Sequence, residues 1–171
     1  MTDRRRLIVM RHAKAEPFAV SDHARPLTDR GRASAHDVGE YLRATQVLPT
    51  YALVSSALRT RETWDAVTES AGLTDVEVVY DDAVFTGSVD VVLETLGAAP
   101  ADATTAMFVG HNPAAASLCH YLDDGDGDPA AVSALLQGFP PSAVAVLEVN
   151  VPWAELGAET GRVVGFHVGS S

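Results

Sequence analysis

An arginine and a histidine stand side by side at Arg11 and His12, where the apolar run "RLIVM" ends. A second arginine, Arg59, lies in "VSSALRTRET" just past another apolar run, and a second histidine, His111, follows a third in "FVGHNP". Guanidinium and imidazole groups gathered at strand ends can hold and attack a phosphoryl group, whose transfer depends mainly on positioning and neutralisation of charge. They meet only if the three runs are neighbouring strands of one sheet, whose carboxyl ends then open on a common crevice. Helices starting there would add free N–H groups and a dipole that favours anions.

The charge of the whole chain makes a local cluster necessary. Its 171 residues carry 12 Lys and Arg against 23 Asp and Glu, a formal net charge of -11, so the overall field repels polyanions. Nucleic acid and anionic membrane are therefore not expected as partners. The lone cysteine, Cys119, rules out a disulfide framework and a cysteine-based zinc site, and reads as a small buried hydrophobe. No two of the six histidines stand at H-x-x-x-H spacing, and no carboxylate-rich motif accompanies them, so no metal is expected. The aspartates of "DDGDGDP" suggest a calcium loop, but counting from Asp124 its sixth position is Pro129 and its twelfth Leu135, where glycine and glutamate are needed. That segment reads as a solvated loop. In "MTDRRRL" the positive charge is followed by only Leu7 to Met10 before Arg11, too short for a secretory leader, and no run approaches the ~18 apolar residues of a membrane span. A cytoplasmic protein is the simplest expectation.

Short apolar runs alternate with helical patterns, which predicts an α/β fold with a largely parallel sheet. The length and the absence of an evident linker suit one domain over residues 1–171. Strands are expected at 6–10, 51–55, 76–80, 105–110, 143–149 and 162–168. The last two lie too close for a parallel crossover and should form an antiparallel pair at one edge. Thr28 reads as the N-cap of a helix with Ala35, Val38 and Leu42 on its apolar face. Gly72 should end a second helix, and a third should run from Ser88 to Gly97. A fourth begins with Asn112 as cap and Pro113 at its first position.

The pieces "RHAKAE", "DHARPLTDRG", "SSALRTRET", "VGHNP" and, less specifically, "FPPSAVAVLEV" resemble the histidine phosphatases, the superfamily of phosphoglycerate mutases and acid phosphatases. They span residues 7–149. The short chain leaves no room for the helical insertions of acid phosphatases, so the resemblance favours the small SixA-type phosphohistidine phosphatases. It implies a three-layer α/β/α fold of the phosphoglycerate mutase type, with a mainly parallel six-stranded sheet and one edge strand antiparallel. His12 would be the nucleophile, forming a phosphohistidine that water then hydrolyses. Arg11, Arg59 and a protonated His111 would bind the phosphoryl oxygens without cofactor or metal. Arg25 matches a residue that often lines the pocket, with a structural turn contact as the alternative, and Lys14 would act from behind the site.

Two departures from the pattern matter. Most members have glycine after the catalytic histidine, whereas this chain has Ala13, as do many with "RHAK". Ester-cleaving relatives place a carboxylate after the third strand, where "YDDAVFTGS" offers Asp81 or Asp82, of which Asp82 is the candidate general acid. An imidazole leaving group would need no such acid. The leading expectation is a metal-independent phosphatase acting on phosphohistidine in a protein or a small substrate. The alternatives are a phosphatase of small phosphomonoesters, a mutase, for which the short connections leave little lid, and a non-catalytic phosphate-binding protein, against which the intact Arg11, His12, Arg59 and His111 speak.

Overall fold

Six strands form one sheet in the computed structural model, which describes residues 4–171; Met1 to Asp3, part of the segment read above for a leader, lie outside it. They are β1 (Arg5–Arg11), β2 (Tyr51–Ser55), β3 (Glu77–Asp81), β4 (Thr105–Gly110), β5 (Ala143–Val149) and β6 (Gly161–Val168), in the spatial order β3-β2-β4-β1-β5-β6. Strands β1 to β4 are mutually parallel, while β5 runs against β1 and β6 against β5. The expected antiparallel pair thus occupies one edge. Within it β5 is the reversed strand, and β6 again runs with the parallel set. Their connection holds only one 3-10 turn, Trp153–Glu155.

Alternate residues of each central strand face opposite layers. Leu7, Val9, Leu53 and Phe108 pack with α4 (Val89–Leu96), α5 (Ala114–Leu122) and α6 (Pro129–Leu136) through Leu96, Leu118 and Leu135. Ile8, Met10, Val54 and Met107 pack with α1 (Asp29–Thr45) and α2 (Leu58–Ala71) through Val38, Leu42, Trp64 and Val67. Covering both faces is what allows unbroken apolar runs such as Leu7 to Met10. Cys119 lies in the first of these layers, fully buried.

Two glycines allow the α1 layer to close. A Cβ at Gly39 would strike Ser70 Oγ and Val67 O of α2, and one at Gly31 would strike Lys14 O. The second contact matters for the site, because the loop after β1 lies across the start of α1, where Lys14 O accepts from Thr28 N–H at 2.9 Å. Thr28 caps α1 as expected, accepting from Gly31 N–H at 2.9 Å. Gly72, at φ 72°, ends α2.

Three local expectations need correction. Helix α5 begins at Ala114 with Pro113 as the capping residue, after a cis Asn112–Pro113 bond, so both residues sit one place earlier than the proline rule suggests. Asn112 is drawn toward β5 by its Nδ2–H bond to Phe139 O at 2.8 Å, while its Oδ1 accepts from Ala116 N–H at 3.3 Å. Helix α6 was not expected, although Asp128 caps it by accepting from Ala131 N–H at 3.0 Å and Pro129 opens it. The short helix α3 (Ala83–Thr86), inside "YDDAVFTGS", was not expected either. The acidic segment before α6 folds on itself through Asp123 and Asp124 and lies against Arg162, with Asp124 at 3.2 Å and Asp126 at 3.8 Å.

Candidate active site

Strand register brings the two histidines together. In the parallel β1–β4 ladder Arg11 pairs with Gly110, so the next residues, His12 and His111, leave the sheet side by side, with ring centroids 5.3 Å apart at 57°. On the other side of β4, Val54 pairs with Val109, which sets Ser55, the last residue of β2, beside the same chain end. Arg59 follows in the first turn of α2. The reversed direction of β5 delivers the 139–142 loop to this edge. There Phe139 O accepts from Arg11 Nη1 at 3.2 Å, and Ser142 N–H donates to His12 O at 3.2 Å. All four residues singled out in the sequence therefore converge at the carboxyl ends of β1, β2 and β4, the position expected of a ligand site in an open α/β sheet.

The orientation of His12 is settled by its neighbours. Its Nδ1 lies 2.7 Å from Ala13 O, and a carbonyl only accepts, so Nδ1 carries the hydrogen. Nε2 is then the nitrogen with the free lone pair, and it has no hydrogen-bond partner among the described residues. Ala13 is held in turn. Its N–H donates to Thr63 Oγ1 at 3.0 Å, and that hydroxyl donates to Arg59 O at 2.6 Å, tying the loop after β1 to α2. Burial pushes the His12 imidazole down to about 4; the bond to Ala13 opposes this, and the charges of Arg59, Arg11 and Arg25 reinforce it. At neutral pH His12 is an uncharged ring whose lone pair is available.

The surroundings of His111 favour its neutral form as well, whereas the expected protonated ring has the charge of a bound phosphoryl group beside it. Burial comes first among the causes, followed by the proximity of His12 and Arg59, and together they push it to about 3 against the opposing charge of Asp22. Two arginines within reach of one buried ring disfavour a third cation. Nε2 of His111 lies 2.7 Å from Ser55 Oγ, and Nδ1 lies 3.4 Å from Arg59 Nη2. Phe85 of α3 closes this side, edge-on to His111 at 5.5 Å and 5.8 Å from the Arg59 guanidinium carbon.

Arg59 is buried, at 5% exposure, and its charge is balanced by one loop. Asp22 accepts from it twice, through its main-chain O at 2.8 Å and its Oδ2 at 3.2 Å. Asp22 Oδ1 accepts from Arg25 Nε at 2.9 Å, and Arg25 Nη1 donates to Glu16 O at 2.8 Å. Arg25 thus makes the turn contact, while its charge is still felt at His12. Desolvation alone would raise the Asp22 carboxyl, but the hydrogen bond from Arg25 and the charge of Arg59 outweigh it and hold it below the usual range. The Nε atoms of Arg11 and Arg59 are buried without a hydrogen-bond partner among the described residues. Burial lowers both guanidinium pKa values, for Arg59 against the pull of Asp22, yet leaves the groups charged.

The remaining candidates stand apart. Lys14 is exposed and contributes its main-chain O rather than its ammonium group. Asp81 Oδ1 accepts from Ala83 N–H at 2.8 Å at the start of α3. The Asp82 side chain is exposed and makes no hydrogen bond or ion pair with a described residue, while its main-chain O accepts from Phe85 N–H at 3.1 Å. The helix N-termini offer less than expected, since Leu58 N–H donates to His23 O at 3.0 Å and Ala115 N–H to His111 O at 2.8 Å. Ser55, Asp22, Thr63, Phe85 and Phe139 were not singled out in the sequence. All five lie inside quoted stretches, Ser55 and Thr63 in "SSALRTRET", Asp22 in "DHARPLTDRG", Phe85 in "YDDAVFTGS" and Phe139 in "FPPSAVAVLEV", but nothing in residue type alone marks them. Among the described residues, no group of three or more His, Cys, Asp or Glu could hold a metal ion, and no helix is long and apolar enough to cross a membrane.

A six-stranded sheet between two helical layers is the phosphoglycerate mutase-like fold, and two histidines and two arginines meet at the carboxyl ends of its strands. The histidine phosphatase superfamily (branch 1) profile matches residues 7–84. An uncharacterized protein of Mycobacterium tuberculosis is 35% identical over 161 residues, covering 93% of this chain and 99% of the relative. The structure of a Nakamurella multipartitia protein assigned as the phosphohistidine phosphatase SixA superposes with a TM-score of 0.86 at 32% identity, over 98% of each chain. A protein similarly assigned from Agrobacterium tumefaciens gives 0.78 at 27% identity, over 95% of this chain and 97% of the other. The chain belongs to the histidine phosphatase superfamily, and its closeness in shape to these structures places it with the SixA-type members.

Proposed function

We propose that the protein is a phosphatase that passes a phosphoryl group to Nε2 of His12 and then to water, and that its preferred substrate is phosphohistidine, carried on a protein or on a small molecule. In the first step the His12 lone pair forms a P–N bond as the bond from phosphorus to the leaving nitrogen breaks. In the second, water attacks the phosphorylated His12, giving inorganic phosphate and the free imidazole. Arg11 and Arg59 neutralise the oxygens throughout, and neutral His111 donates an N–H to one of them. That charge balance calls for no divalent ion.

The observation that carries the substrate class is the state of the carboxylates. Asp22, the one in contact with Arg59, is held ionised, so it has no proton to give a departing alkoxide. The Asp81 carboxylate is taken up by Ala83 N–H at the start of α3, and the Asp82 side chain is exposed with no partner among the described residues. A substrate imidazole protonated on its other nitrogen leaves as a neutral ring and needs no acid. The names of the Nakamurella and Agrobacterium proteins support the same class.

Steady-state kinetics with a phosphohistidine peptide, p-nitrophenyl phosphate and a panel of sugar phosphates tests the reading. The peptide should have the highest kcat/KM. A sugar phosphate as the best substrate would favour a phosphatase of small phosphomonoesters, and no turnover of any of them would leave only a phosphate-binding protein.

A further inference from the structure

Ser55 lies at the end of β2, fully buried, and its hydroxyl is the partner of His111 Nε2 at 2.7 Å. Two arrangements of hydrogens fit these atoms. If Nε2 carried the hydrogen, Ser55 Oγ would accept from it and from Ala57 N–H at 3.4 Å, and the hydroxyl hydrogen would have no acceptor among the described residues. A buried donor without a partner is costly. If instead the hydroxyl donates to Nε2 and accepts from Ala57 N–H, both groups are satisfied. The first arrangement would let His111 Nδ1 accept from Arg59 Nη2, but at 3.4 Å that contact is long and weak. The fully buried Ser55 hydroxyl decides, and Nδ1 is left carrying the hydrogen.

Nδ1–H then faces Arg59 Nη2 at 3.4 Å, donor against donor, because a guanidinium never accepts. One anionic oxygen placed between them would accept from both. We propose that Ser55 is a positioning residue that holds His111 as its Nδ1–H tautomer, so that His111 and Arg59 donate to the same phosphoryl oxygen. The two histidines are thereby held in complementary roles. Each carries its hydrogen on Nδ1, but in His12 that hydrogen is spent on Ala13 O and the lone pair of Nε2 is presented, whereas in His111 Nε2 is spent on Ser55 and the N–H is presented. This inference rests on reading the crevice as a phosphoryl site, not on the identity of the leaving group.

The test is nuclear magnetic resonance of protein labelled with 15N-histidine, with His111 assigned from the His111→Gln variant, combined with tungstate titration of the intact chain. In the wild type, His111 Nδ1 should resonate as a protonated nitrogen and Nε2 as an unprotonated, hydrogen-bonded one. Ser55→Ala should shift the ring toward a tautomer mixture and weaken tungstate binding by about tenfold, the scale of one net hydrogen bond. Ser55→Thr, which keeps the hydroxyl, should retain the wild-type signature. A protonated Nε2 in the wild type would overturn the proposal even if Ser55→Ala does not fold. So would a Ser55→Ala protein with unchanged tautomer and unchanged tungstate affinity. Neither measurement needs turnover, so a protein inactive on every phosphorylated substrate but with the expected spectra would lose its proposed activity and keep this role for Ser55.

Discussion

The rings of His12 and His111 face each other with centroids 5.3 Å apart, because the residues preceding them, Arg11 and Gly110, are partners in one parallel ladder. In the proposed reaction that spacing lets a nucleophile and an N–H donor address a single phosphoryl group, and it comes from strand register rather than from any contact between the rings. The same register places Ser55 behind His111, and Arg59 follows four residues later on α2.

His12→Ala should abolish turnover, since it removes the proposed nucleophile, and rapid quench of the wild type should trap an acid-labile, base-stable phosphoenzyme. Arg59→Ala should raise KM and lower kcat, by about 10²–10³-fold in kcat as for the loss of an oxyanion donor. Full activity of His12→Ala would remove the nucleophile assignment.

Acid should inactivate the enzyme later than an ordinary histidine would suggest. With His12 pushed down to about 4, the acid limb of kcat/KM should lie near that pH rather than near 6.5. An acid limb centred near 6.5 would show that the ring is not desolvated in the working enzyme.

The same shifts predict a loss of stability in acid. His12 and His111 are pushed down to about 4 and about 3, so between those values and 6.5 the unfolded chain binds protons that the folded chain does not. Their contribution is complete above about 6.5 and is lost as pH falls through the folded values. Tm should fall over this window, and replacing both histidines with glutamine should flatten the fall. Identical Tm profiles for the wild type and the double variant would contradict the burial argument.

Chelators should leave activity unchanged, because Arg11 and Arg59 supply the positive charge that a divalent ion supplies elsewhere. The measurement is kcat/KM before and after dialysis against EDTA. A loss restored by adding a metal would point to an ion in the working site.

Substrate preference should follow the leaving group. Without a positioned acid, kcat/KM for phosphohistidine should exceed that for alkyl phosphates by about 10²-fold or more, with aryl phosphates between. Asp82→Asn should scarcely change the phosphohistidine reaction. Equal efficiency on both classes, with a large loss in Asp82→Asn, would identify Asp82 as the acid of a small-molecule esterase.

Much of the architecture was legible along the chain because its signals are local. Apolar runs of strand length, Thr28 at a helix start and Gly72 at a helix end each report the conformation of a few neighbouring residues, and the structure has all of them. Arg11, His12, Arg59 and His111 could be singled out because scarce cations at strand ends in an acidic chain are informative by type alone. The neutrality of His111, the arginine clamp of Asp22 and the place of Ser55 behind the second histidine were not legible. Each depends on groups distant in sequence meeting in space: Asp22 with Arg59 across 37 residues, Ser55 with His111 across 56. Residue types and spacing determined which groups are available for phosphoryl chemistry. Their protonation and orientation were decided only by tertiary structure, because desolvation and hydrogen-bond partnership are properties of the packed crevice and not of the chain.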